Sequence, residues 1–126
     1  MATILLVDDD PLQAFVRKSD LEKIFPDVLR VTDAVEALCL VEQPHFAANL
    51  GLVITGHHMP GISGPAFVAE LRTRIPALPV LVLGGASEEW GNYHGESVRF
   101  LSKPFPTDEL LAAATQMLEQ KERKTA

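Results

Sequence analysis

Three consecutive carboxylates, Asp8, Asp9 and Asp10, follow the apolar run at residues 3–7, TILLV, with no spacer. Side by side they repel one another unless a cation or solvent screens them, and Lys103 in FLSKPF is the neighbour able to supply such a charge. Between these segments lies LVITGHHMPGISG, residues 52–64. Its apolar start reads as a buried strand whose exit residue is Gly56, the place where ligands of an open α/β sheet gather. Glycine brings no nucleophile to that place.

Other reactive residues point to less. His57 and His58 are adjacent in an extended loop, so their rings diverge, and no further His or Cys joins them at ligand spacing. The single cysteine, Cys39, cannot close an internal disulfide; between Leu38 and Leu40 it reads as a small buried apolar residue. His45 and His94 stand alone. GxxxxGK[ST], GxGxxG after the first strand and a serine nucleophile elbow are all absent from the sequence.

The elements that must position these residues follow from pattern. Residues 3–7, 28–32, 52–54, 80–83 and 98–101 read as short buried strands. Helical spacing separates them. Leu12, Phe15 and Val16, then Leu21, Ile24 and Phe25, give the apolar face of a first helix with one slip in phase, and Asp10 and Pro11 suit its start. Ala34, Ala37, Leu38 and Val41 form a second helix, residues 44–49 a loop, and Phe67, Val68, Leu71 and Ile75 a third helix. A fourth helix between the last two strands should be short or irregular, because Gly91 and Gly95 interrupt it. Thr107 caps the last helix, whose inner side is Leu110, Leu111, Ala114, Met117 and Leu118. Alternating strands and helices imply a doubly wound, five-stranded parallel sheet of flavodoxin-like order 2-1-3-4-5, with helices on both faces. One domain should occupy residues 1–121, with a frayed tail at 122–126.

The composition is that of an ordinary globular chain: 126 residues, 47% hydrophobic and 22% charged. Its net charge of −6 opposes nucleic acid and anionic membrane alike. No apolar stretch is long enough to span a bilayer, and the start lacks the basic region of a secretory signal. A cytoplasmic protein without membrane contact or direct DNA binding is expected, and no effector domain is visible.

Three separated segments, VDDDP, MPGISG and FLSKPF, resemble the receiver domains of two-component response regulators, of the stand-alone chemotaxis type. The resemblance covers nearly the whole chain. It implies that Asp8, Asp9 and the backbone carbonyl of His58 hold Mg2+, that Lys103 neutralises a phosphoryl oxygen, and that Lys103-Pro104 is cis. It also places Gly56 at the phosphoaccepting aspartate, Gly84 at the switch Ser or Thr, and Phe100 at the switch aromatic.

Two of those positions depart from the pattern. Without a carboxylate at 56 no aspartyl phosphate forms there, and the implied Mg2+ site is weakened. Without a hydroxyl at 84 nothing draws the following loop inward. The expected function is therefore a degenerate, non-enzymatic receiver that binds a histidine kinase or another two-component protein independently of phosphate, alone or as a homodimer. The alternatives are an engineered or incidental Gly56 in a receiver otherwise phosphorylated there, or an acceptor elsewhere, at Asp8, Asp9 or His57. Trp90 and Tyr93 serve either as partner anchors or as a roof over the sheet.

Overall fold

Strand β1 (Thr3–Val7) is buried along its whole length, with Leu5 and Val7 in one core and Ile4 and Leu6 in another. That alternation is what a period of two gives when both faces of a sheet are covered. The computed structural model describes residues 2–84, 90, 91, 93 and 97–125, with side chains as far as residue 119. Strands β2 (Val28–Val31), β3 (Leu50–Gly56), β4 (Val80–Leu83) and β5 (Val98–Leu101) complete an all-parallel sheet in the order β2-β1-β3-β4-β5. In register, Val7 faces Thr55, Gly56 faces Leu83, and Leu83 faces Leu101. Four strands thus end close together at one edge of the sheet.

Helices α1 (Pro11–Glu22) and α5 (Thr107–Thr125) cover one face, where Leu21, Leu110, Ala114 and Met117 pack on Ile4, Leu52, Ile54 and Leu81. Helices α2 (Ala34–Val41), α3 (Pro44–Asn49) and α4 (Gly64–Arg74) lie on the other. There Ala37, Val41, Phe67 and Leu71 meet Leu5, Val53 and Val82. Asp10 starts α1 by accepting from the Leu12 and Gln13 amides, and Ser63 starts α4 by accepting from Ala66.

Several expectations need correction. Leu12, Phe15, Val16 and Ile24 do not form the inner face of α1; they are exposed, at 74%, 69%, 51% and 54%. The helix turns Ala14 and Leu21 inward, and Arg17, three residues beyond Ala14, takes the position between them. Cys39 is exposed, because Ala34, Ala37 and Val41 carry the buried side of α2 and position 39 falls on the other. Residues 44–49 are helical: Pro44 suits a first turn, and the Asn49 amide group donates to the His45 carbonyl.

At the carboxyl end, α5 runs from Thr107 to Thr125. Thr107 is the first residue of α5, and its hydroxyl donates to Asp20 on α1. The expectation of a short or irregular helix between β4 and β5 falls mostly on residues 85–89, 92 and 94–96, outside the described ones.

Candidate functional site

The level ends of β1, β3, β4 and β5 enclose a crevice of about 200 Å3. Asp8, Asp9, Gly56, His57, His58, Gly84 and Lys103, all singled out from sequence, line it together with Gln13 and Arg17. The parallel topology accounts for this convergence, since each strand delivers its exit residue to the same edge.

Asp8 is 5% exposed and its carboxylate is surrounded by donors. Oδ1 accepts from the Asp10 amide at 3.0 Å, and Gln13 Nε2 reaches Oδ2 at 3.2 Å and Oδ1 at 3.5 Å. Arg17 donates from its guanidinium to Oδ2 at 3.0 Å. The Arg30 side chain on β2 donates twice to the Asp8 carbonyl, at 3.1 and 2.8 Å. Arg17 is itself enclosed, with its guanidinium carbon 5.5 Å from the centre of the Phe105 ring. Burial pulls the Arg17 guanidinium below its ordinary pKa, while the Asp8 charge, its hydrogen bond and the nearby Asp10 charge pull upward. A guanidinium stays protonated throughout the physiological range all the same.

This geometry bears on the divalent ion that the family resemblance implies. A carboxylate offers about four acceptor positions, and donors already crowd those of Asp8. Gly56 adds no oxygen beyond its backbone. Exposed Asp9 and the carbonyl of His58 are then what the chain offers, a poor match to the near-octahedral oxygen shell of Mg2+. Among the described residues no three His, Cys, Asp or Glu side chains converge on a metal-sized site. The donor set does not fit the ion.

The two glycines differ in kind. A Cβ at Gly56 would lie 3.6 Å from the His58 carbonyl oxygen and 4.0 Å from Met59 Cγ, both ordinary contacts. Nothing in the backbone demands glycine there. Gly84, by contrast, has φ +87°, a conformation that side-chain-bearing residues rarely adopt, and a Cβ there would rest 3.5 Å from Lys103 Cε. The Lys103-Pro104 bond is cis.

His57 is 8% exposed, and its Nδ1 shares a 2.5 Å hydrogen bond with the Tyr93 hydroxyl. Tyr93 stands so near the start of α4 that a Cβ at Gly64 would collide with its hydroxyl. Its ring also meets Phe100 edge-on at 5.1 Å, and Trp90 stacks on Phe100 at 4.8 Å with 9° between planes. Trp90 and Tyr93 therefore roof strand β5.

Sequence reasoning missed Arg17, Gln13 and Arg30. The one signal for Arg17 was the slip in apolar phase along α1, which marks a charged residue at an inward position. Nothing in the sequence pairs His57 with Tyr93, 36 residues away.

Comparison with known proteins adds a family to this geometry. The family model for the response regulator receiver domain matches residues 4–115. The chain is 30% identical over 121 residues to the C4-dicarboxylate transport transcriptional regulatory protein DctD of Pseudomonas aeruginosa, covering 92% of this chain and 25% of that protein. It is 27% identical over 124 residues to protein PilH of the same species, covering 94% and 98%. Sensor kinase CckA of Brucella abortus matches at 27% over 124 residues, which is 96% of this chain and 13% of the kinase. The chain spans a quarter to about half the length of the first curated relatives it matches. In fold it is similar to a response regulator receiver protein from Sinorhizobium medicae WSM419, with a TM-score of 0.84 at 24% identity, covering 95% of this chain and 96% of that one.

Proposed function

Because the chain belongs to the response regulator receiver family, we propose that it acts in two-component signalling by binding partner proteins without ever carrying an aspartyl phosphate. The observation that carries this reading is Gly56, which lines the crevice at the exit of β3 and brings no carboxylate to it. Gly84 supports it, because glycine has no hydroxyl to meet a phosphate and the left-handed backbone there disfavours any residue that would bring one. Asp8 is a poor substitute acceptor, since four hydrogen bonds hold its carboxylate. The His57 Nδ1 is engaged with Tyr93.

Protein binding is supported by the apolar side chains of Leu12, Phe15 and Val16, which α1 holds out to solvent beside the crevice. The partner class in this reading is a histidine kinase or another two-component protein. Residues 1–121 form the working domain, which catalyses no reaction of its own. The net charge of −6 disfavours direct contact with DNA. No described helix is long and apolar enough to cross a membrane, and a cytoplasmic setting agrees with that.

Incubation with acetyl phosphate and Mg2+, followed by intact mass measurement, tests the proposal. The mass should stay that of the unmodified chain. A phosphate adduct removed by hydroxylamine would overturn the reading, because hydroxylamine cleaves acyl phosphates.

A further inference from the structure

We propose that the Arg17 guanidinium is the resident cation of the crevice, doing for Asp8 what a divalent metal does in related domains, so that the folded protein takes up no Mg2+ there and needs none. The inference concerns cation occupancy and goes beyond the question of an acceptor at position 56.

The case rests first on geometry. Asp8 lies at the end of β1 with 4% of its side chain exposed, and Arg17 reaches it from the inner side of α1 at 3.0 Å with 12% of its own exposed. Both partners are out of bulk water, which makes the pair hard to exchange for a hydrated ion. The guanidinium is fixed on a second side by the Phe105 ring, and Gln13 and the Asp10 amide take further acceptor positions on the carboxylate. Mg2+ would have to displace a tethered cation while giving up its own tightly held waters.

Charge points the same way. Asp8, Asp9, Arg17 and Lys103 all line the crevice, so with its histidines neutral the formal charges of the lining cancel, two against two. A pair of free carboxylates would attract a divalent cation; a neutralised pair does so weakly. Arg17 also joins three parts of the fold, α1 through its backbone, β1 through Asp8 and the segment before α5 through Phe105. An internal cation at this junction holds the strand ends together whether or not a divalent metal is present, whereas a metal would do so only when bound.

The test compares thermal unfolding of the wild-type chain, Gly56→Asp, and the double variant Gly56→Asp with Arg17→Met, each with and without millimolar MgCl2 at matched ionic strength. Wild type and Gly56→Asp should melt at the same temperature with and without the salt. The double variant should gain about 5 °C from Mg2+, as expected of a ligand that binds only the native state. A Mg2+-dependent rise in Gly56→Asp equal to that of the double variant would overturn the proposal, as would a double variant that ignores Mg2+.

Should the double variant not fold, Mn2+ titrated into folded wild type and Gly56→Asp decides the matter by paramagnetic broadening of amide signals. Unbroadened signals at positions 9 and 56 support the internal cation, and selective broadening there overturns it. Phosphate uptake by the wild-type chain would sink the reading of the previous section, while Mg2+ uptake with Arg17 in place would sink this one, so the two failures are distinguishable.

Discussion

Gly56 and Gly84 both stand where the resemblance to receiver domains implies a working side chain, yet the backbone treats them differently. Position 56 is extended and uncrowded, so Gly56→Ala should stabilise the protein by about 0.5 kcal/mol through the loss of unfolded-state freedom. Position 84 has φ +87°, so Gly84→Thr should cost about 1–2 kcal/mol. Urea unfolding of the two variants reads both signs at once, and destabilisation at 56 with gain at 84 would contradict this assignment. Arg17→Met should cost about 3 kcal/mol, because it strands a carboxylate that is 5% exposed. A double-mutant cycle with Asp8→Asn then separates the pair from its surroundings, and a coupling energy near zero would remove Arg17 from its assigned role. Asp8, Asp9, Gly56, Gly84 and Lys103 were legible in the sequence because each sits where a strand gives way to a turn, a boundary marked by Asp, Gly or Pro. Arg17 was not, since a positively charged residue in a helix ordinarily reads as a solvated face.

At the scale of elements, the strands were easy to read and the helix faces less so. A strand buried on both sides announces itself as an unbroken apolar run, as in TILLV and VLVL. An amphipathic helix is inferred from phase, and α1 presents two competing phases, one through Leu12, Phe15 and Val16 and one through Ala14, Arg17 and Leu21. The second is the one that packs, because Asp8 rewards an inward Arg17 and a small Ala14 lets the helix approach the sheet. A roof over the sheet from Trp90 and Tyr93 was one of two readings open in the sequence, whereas the Tyr93 bond to His57, 36 residues away, had no signal there. These contacts carry a prediction of their own. Tyr93→Phe removes the hydroxyl bonded to His57 and should lower stability by about 1 kcal/mol, read as a fall in the urea midpoint. Trp90 stacks on Phe100, so Phe100→Leu should change its emission, whereas acetyl phosphate should leave that emission as it was. A phosphodonor-dependent change would mean that strand β5 still responds to the crevice.

For the molecule as a whole, topology was the most legible feature, since five short apolar runs alternating with helical segments leave few right-handed arrangements. The sheet order follows from that constraint, and it brings four strand ends to a single crevice. What the chain's pattern conceals is the state of that crevice, which depends on side chains reaching in from α1, β2 and the segment before α5. In the function proposed above, these side chains keep the domain in one state, with its internal cation in place and no site for a phosphoryl group. The most direct measurement is an amide correlation spectrum recorded before and after addition of Mg2+ with beryllofluoride, a mimic of the bound phosphoryl group. The two spectra should superimpose throughout. Concerted shifts at His57, Gly84, Phe100 and Lys103 would show that the crevice still binds the mimic and passes the signal on, and would contradict the account.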